Sequence, residues 1–409
     1  ALDTLRRPLR CPRLRPPACR RRRGAPRATG SACAMPDERS AGPAAPGHAP
    51  WRARCAARWS HQAWQPRPGL ASRALQPLAW LYRGLAILHR VWWRSIRRPA
   101  RLPVPVLVVG NLVAGGAGKT PVVIALVQAL RAAGWTPGVV ARGYGRGAGA
   151  AVVVATAASS ANDIGDEPLL IRRRTAAPLA VGAQRAEAAR QLLARHPEID
   201  VIVSDDGLQH HALAHDAAVV VFDDRGVGNG LVLPAGPLRE PLPGELPPHW
   251  LVVYSGRRGA STPLPGVHAP PSAERVLELG AWWQGATVAA GMPLAALAGR
   301  PLLALAGIGD PSKFFATLDG AGLRYTALPM PDHARYKRLP WPAGTTDVVT
   351  TEKDAVKLPP PHLDGARVWV VPLDSALPAQ FVQALLQRLA PRRPRRPDPT
   401  PPPARLPAP

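Results

Sequence analysis

Beyond residue 55 this 409-residue chain has no cysteine: all four, Cys11, Cys19, Cys33 and Cys55, lie in its first 55 residues. Their spacings match no zinc pattern. Disulfides are thereby excluded from the predicted folded body, and a reducing compartment is favoured. Acids are missing over a longer stretch, with none between Glu38 and Asp163. The N-terminal residues also lack the apolar run of a secretory leader.

Positive charge is plentiful but lopsided. Lys and Arg number 52 against 27 acids, a formal net charge of +25. Residues 1–100 hold 21 arginines and three acids, residues 391–409 hold five arginines and one acid, and residues 101–390 are left at only +3. A nucleic-acid binder would spread basic side chains over its folded face, so this distribution argues against that class. Residues 1–65, rich in Arg, Pro and Ala, begin without a methionine, and Met35 is the first candidate start. They read as a disordered basic extension that need not belong to the native product. Residues 391–409 read as a disordered Pro/Arg-rich tail.

Residues 66–100 contain "ALQPLAWLYRGLAILHRVWWRSIR" (74–97). At about 100° per residue, Arg83, Arg90, Arg94 and Arg97 fall on one stripe, and Leu78, Leu81, Leu85, Leu88 and Trp92 on the opposite face. A spanning helix needs about 20 mainly apolar residues, and the arginines interrupt this one. Tryptophan with arginine on an amphipathic helix suits the interface of an anionic membrane. A surface helix packing Leu and Trp on the body is the alternative.

The chemistry starts at "VPVLVVGNLVAGGAGKTP" (104–121). Val104–Val109 predicts a buried strand and Pro121–Ala133 a helix, with a glycine-rich loop between them. Strand, glycine loop and helix N-terminus together make a phosphate cradle of backbone N–H groups, here residues Val113, Ala114, Gly115, Gly116, Ala117 and Gly118. Lys119 would reach the β/γ-phosphates of ATP and the Thr120 hydroxyl would ligate Mg²⁺. Position 113, where the pattern has glycine, is valine. Further strands follow at Gly138–Ala141 and Val201–Ser204, alternating with helical stretches, which predicts a doubly wound, mostly parallel α/β sheet. Asp205 and Asp206 close one strand, where carboxylates can hold a nucleotide's metal. Alone, Asp-Asp-Gly is equally a turn.

The blocks "VVGNLVAGGAGKTP", "ARGYGR", "GDEPLL", "VGAQRAEAA", "SDDGLQH", "GPLREP" and "PDHARY" resemble, in this order, the signature of the tetraacyldisaccharide 4′-kinase family of phosphate-loop enzymes, over roughly residues 70–385. The resemblance implies transfer of the ATP γ-phosphate to the 4′-hydroxyl of tetraacyldisaccharide 1-phosphate, a lipid A precursor, giving lipid IVA. It implies a place on the cytoplasmic face of the bacterial inner membrane, held by an amphipathic helix. It also implies roles: Asp166 and His333 as a catalytic dyad beside Lys119; Thr120, Asp205, Asp206 and Glu240 at the metal; Arg142, Tyr144, Arg146, Arg185, His210 and Arg239 at the substrate. The family often has a second histidine where Ala334 stands. Read alone, Asp166 could be a helix cap and Glu240 a linker residue.

The kinase domain is expected over 101–244 and a smaller α/β domain over 245–390, with the site in a cleft between them. Gly307, Gly309 and Asp310 look like a second phosphate loop but lack a following Gly-Lys-Thr, and so read as structural. A partition- or cofactor-synthesis-type ATPase would account for the loop and the acids but not for the basic Trp/Leu helix.

Overall fold

The structure, a computed structural model, describes residues 63–394 except 145, 147–150, 337 and 359–362, and excepting the Arg94 side chain. The disorder expected of 1–62 and of 395–409, the four cysteines and the Arg94 stripe position lie outside the described residues. Eight strands form the first sheet: β1 (Val106–Gly110), β2 (Pro137–Ala141), β3 (Val153–Val154), β4 (Leu179–Val181), β5 (Val201–Asp205), β6 (Ala217–Phe222), β7 (Trp250–Tyr254) and β8 (Val267–His268). Their order is β3-β4-β2-β5-β1-β6-β7-β8, antiparallel only at the β3–β4 edge.

The central strands are continuous β-branched runs, buried on both faces as parallel strands are. The helices used below are α1 (Gln76–Trp92), α2 (Lys119–Ala132), α3 (Asp166–Thr175), α4 (Arg185–Arg195), α5 (Pro311–Gly320), α6 (Glu352–Ala355) and α7 (Ala379–Leu389). Val106, Val108, Ile202 and Val220 join one buried cluster with Ala188, Ala189 and Leu192 of α4. Leu107, Val109, Val203 and Val221 join another with residues of α2, α3 and α7.

After β9 (Pro271–Ser272) the second sheet contains β10 (Arg275–Glu278), β11 (Met292–Pro293), β12 (Leu302–Ala306), β13 (Tyr325–Pro329), β14 (Asp347–Thr351) and β15 (Arg367–Val371), in the order β11-β10-β15-β14-β12-β13. A short β16 (Asp374–Ser375) pairs with β9. The first sheet continues past residue 244, because the apolar strand β7 pairs in parallel with β6. The halves are fastened by a buried ion pair, Arg174 of α3 donating to Glu352 of α6 at 2.8 and 2.9 Å. Trp282 Nε1 also donates to Glu352, at 3.0 Å.

Residues 63, 64, 392 and 393 are tied down more than their composition predicts. Ala63, assigned to the disordered extension, is buried, and Arg225 stacks over Trp64 at 4.2 Å. Arg392 reaches Asp216 at 3.1 Å and the Leu102 carbonyl at 2.7 Å, and Arg393 reaches Asp200 at 2.8 Å. These two arginines, assigned to the solvated tail, find carboxylates beside strands β6 and β5.

Helix α1 begins with Pro77 in its first turn, where the missing N–H costs nothing. It is followed by a π-helical turn, Trp93–Arg97. It meets the body with Ala79, Tyr82, Ala86 and Arg90, while Leu78, Trp80, Leu81, Leu85, Ile87, Leu88 and Val91 stay exposed. Tyr82 donates to the Arg239 carbonyl at 3.0 Å, and Arg90 pairs with Glu240. Among the described residues no helix is long and apolar enough to cross a membrane.

Candidate active site

The glycine-rich loop leaves β1 at Gly110 and enters α2 at Lys119, two residues before the expected helix start, with Pro121 tolerated in the first turn. Gly118 makes the turn with φ +68°, in the left-handed region that a side chain would strain. Asn111, fully buried, donates to the Gly115 carbonyl at 3.1 Å and accepts from Lys119 Nζ at 3.2 Å. Ser255 Oγ donates to the Ala117 carbonyl at 3.0 Å, and Arg225 donates to that of Gly116.

Val113, in place of the usual glycine, has its side chain in the core and its backbone bridged to Leu238. Such extended pairing suits a β-branched residue. The neighbouring Ala114 N–H donates to the Pro237 carbonyl at 2.7 Å, which commits that amide to the fold. The exposed glycines of the loop are 115, 116 and 118.

Parallel pairing of β5 with β1 sets Asp205 beside Val109, at the mouth of the loop. Asp205 is buried, and its Oδ1 has no hydrogen-bond partner. Burial foremost, then the Glu167 charge, pushes its carboxyl up to about 7 against the pull of Lys119. Asp206, with φ +48°, accepts from Lys119 at 2.9 Å and lies 3.4 Å from Arg239. Burial alone would raise its carboxyl; Lys119, Arg239 and Arg185 outweigh burial and hold it below the usual range. An orphaned buried carboxylate oxygen at the end of β5, beside the strand that feeds the glycine-rich loop, is a hard oxygen donor of the kind that fits Mg²⁺. Glu240 gives one oxygen to Arg90 of α1, and its Oε1 is buried without a partner.

The second half brings His333. Its Nδ1 lies 3.2 Å from Asp166 Oδ2, although 167 residues separate them in sequence. Asp166 opens α3 after Gly165, where a Cβ would sit 2.5 Å from the Tyr144 carbonyl. Only glycine permits that approach, and it brings the Tyr144 loop against the Asp166–His333 pair: the Tyr144 ring meets His333 edge-on at 5.1 Å. His333 itself has φ +58°, and such strain clusters at functional sites.

Arg142, Arg185 and His210 form a second group. Burial first, then repulsion from Arg142, lowers the Arg185 guanidinium's affinity for its proton. Burial, then Arg185 and Arg142, pushes His210 down to about 4, and its Nε2 is buried unpartnered. Cations gathered this way suit an anion. Arg146 donates to the Ala151 carbonyl at 3.0 Å. Arg239 joins Asp206 to Gln209, donating to Oε1 at 3.2 Å.

Asn111, Glu167, Gln209, Lys353 and Asp354 were not singled out as site residues. For four of them the signal existed: Asn111, Gln209, Lys353 and Asp354 lie just beyond the C-terminal ends of β1, β5 and β14, where open α/β sheets carry their chemistry, whereas Glu167 lies in the first turn of α3. Asp354 shows the role of the second-half turn. It accepts from the Gly307 N–H at 2.8 Å and the Tyr336 hydroxyl at 2.7 Å, and this fixes the Gly307 turn next to His333's loop.

The profile of the Tetraacyldisaccharide-1-P 4′-kinase family matches residues 71–390. A tetraacyldisaccharide 4′-kinase from Leptothrix cholodnii is 51% identical over 338 residues, covering 81% of this chain and 96% of the relative. One from Methylibium petroleiphilum is 50% identical over 362 residues, covering 87% and 98%. The solved "apo" form LpxK from Aquifex aeolicus in complex with ATP aligns at TM-score 0.65 and 23% identity, over 78% of this chain and 100% of that one, a likeness of fold. With its profile match and half-identical relatives, this chain belongs to the tetraacyldisaccharide 4′-kinase family.

Proposed function

We propose that the protein transfers the γ-phosphate of ATP to the 4′-hydroxyl of a tetraacylated disaccharide 1-phosphate, giving lipid IVA, at the cytoplasmic face of a bacterial inner membrane. The observation that carries this reading is the electrostatic link between two sets of groups: the charge of Glu167, next to Asp166 in the chain, acts on Asp205. Lys119, Asp205 and Asp206 come from the first sheet's loop ends, and the Asp166–His333 pair spans both halves. An ATPase that hydrolyses nucleotide for partition or cofactor synthesis has no need of a dyad for an alcohol.

Phosphoryl transfer through a loose transition state is mainly positioning and charge stabilisation. On binding ATP, Lys119 exchanges Asp206 for the β/γ-phosphates, and the exposed loop amides and the α2 N-terminus face the anion. Thr120, Asp205 and Asp206 would hold Mg²⁺, which would supply a Lewis acid that offsets charge on the transferring group; among the described residues no three acids gather at one metal site, and Glu240 pairs with Arg90 instead. Asp166 accepts the 4′-hydroxyl proton with His333 beside it. Arg142, Arg185 and His210, a cation cluster around an unpartnered imidazole nitrogen, suit the 1-phosphate or the nucleotide, with Tyr144, Arg146 and Arg239 around them.

The doubly wound sheet positions the loop, and α1 lies in the membrane interface. Its exposed Leu, Ile and Trp side chains support that placement, as does the absence of acids from 39 to 162. The nearly neutral body argues against a nucleic-acid partner.

The test is a radiolabelled-ATP kinase assay on a panel of lipid A precursors. Lys119→Ala should lower kcat by about 10²-fold or more, as loss of a transition-state cation does. Asp166→Ala and His333→Ala should each cost about 10²- to 10⁴-fold, and the double variant little more, because groups acting as one unit are non-additive. A double loss equal to the product of the singles would overturn the dyad.

A further inference from the structure

We propose that Lys353 is a positioning residue that fixes the tautomer of His333, so that His333 orients Asp166 and Asp166 alone takes the proton. The proposal rests on the dyad reading above and sharpens it.

Lys353 belongs to α6, directly after β14 in the second half. Its Nζ lies 3.0 Å from Asp332 Oδ1, 3.2 Å from Glu167 Oε1 and 3.4 Å from His333 Nε2. The side chain is only 17% exposed. Burial weakens the hold of an ammonium on its proton, but Glu167 and Asp332 outweigh it and raise Lys353 above its ordinary value, so the ammonium stays charged.

An ammonium offers donors and no acceptor. Facing Nε2, it needs that nitrogen's lone pair; a proton on Nε2 would set N–H against N–H. The ring proton therefore sits on Nδ1, which donates to Asp166 Oδ2 at 3.2 Å. The groups facing the ring are Asp166 from α3, Tyr144 from the loop after β2, Asp332 from its own turn (3.9 Å from Nε2) and Lys353 from α6. Asp332 adds a second constraint, accepting the His333 backbone N–H at 3.0 Å with the oxygen that also takes Lys353. In this arrangement the imidazole's single lone pair is occupied. His333 cannot receive the hydroxyl proton while Lys353 stays in place. Its remaining role is the Nδ1–H bond that aims the carboxylate.

Histidine-selective ¹⁵N labelling of the full chain reads the tautomer, with His333 assigned by loss of its signals in His333→Gln. Wild type should show a protonated Nδ1 and an unprotonated Nε2. Lys353→Gln should let the two tautomers average and should lower kcat by about tenfold or more, within the range a general base supplies, with KM for ATP unchanged. Lys353→Arg, which keeps a donors-only head, should restore the wild-type pattern and part of the rate. A proton on Nε2 in wild type overturns the proposal even if no variant folds. So does a Lys353→Gln protein that keeps the single tautomer, or one whose loss lies in KM for ATP. The dyad reading fails separately, if His333→Gln retains full kcat.

Discussion

Helices α1 and α7 have the same pattern and opposite orientations. Both carry apolar residues at spacings of three and four with polar residues between them. Helix α7 turns Phe381, Leu385 and Leu389 into the core and leaves Gln380, Gln383 and Gln387 exposed. Helix α1 meets the body with Ala79, Tyr82, Ala86 and Arg90 and leaves its leucines and Trp80 exposed. Periodicity shows that a helix has two faces; what each face meets depends on the surface it lands on. The landing surface of α1 is polar, offering the Arg239 carbonyl to Tyr82 and the Glu240 carboxylate to Arg90. The alternative in which Leu and Trp pack inward does not describe this helix.

The comparison breaks most visibly at the α1 leucines. Replacing Leu81, Leu85 and Leu88 together with Gln should weaken binding to anionic vesicles by about 4.5 kcal/mol, roughly two-thousandfold, at about 1.5 kcal/mol per leucine withdrawn from an apolar phase. Chemical denaturation should barely register the change, since each site is exposed. If unfolding stability falls instead and vesicle sedimentation does not, the two helices are alike after all. The converse substitution, Leu385→Ala in α7, should cost about 2–5 kcal/mol of folding stability through the cavity it leaves. Its vesicle affinity should stay at the wild-type value.

A third outcome extends the contrast from buried apolar groups to a buried charge. Asp205 titrates near 7 folded against an ordinary value of 3.8. A raised carboxyl stabilises the fold while protonated, so this contribution is complete below the unfolded value and is lost as pH rises toward 7. Without divalent metal, unfolding stability should fall across that window by on the order of 4 kcal/mol, at about 1.4 kcal/mol per pKa unit, and melting temperature should fall with it. Asp205→Asn should remove the slope, and Mg²⁺ should reverse its sign by favouring the ionised form. The smallest effect is expected from Arg83→Gln and Arg97→Gln, about 1 kcal/mol each in vesicle affinity, shrinking as salt is added. A salt-independent loss would mean those arginines act through packing, as Arg97 over Trp92 at 5.1 Å could.

Much of the first half was legible because its determinants are local. A β-branched run, a glycine loop and Lys119-Thr120 specify strand, turn and helix within 20 residues of chain. The acids ending β5 followed from the rule that parallel strands present their C-terminal ends to ligand. Glu240 illustrates the limit. Its motif was visible, but its partnership with Arg90, 150 residues earlier, was not. The same holds for Arg392 and Arg393, which composition assigned to a solvated tail and which the body binds through Asp216 and Asp200.

By itself, the sequence determined the α/β class, the strand, glycine-rich loop and helix at 106–132, the neutral body between basic ends and the family. Each is written in side-chain period, backbone sterics or charge count, which act over a few residues or over none in particular. Tertiary structure alone decided that Asn111 and Asp206 share Lys119, that α1 shows its apolar face outward, and that Lys353 stands at the far nitrogen of His333. These are contacts between residues brought together by the packing of two sheets, and a hydrogen bond 3 Å long carries no trace in the chain between its partners.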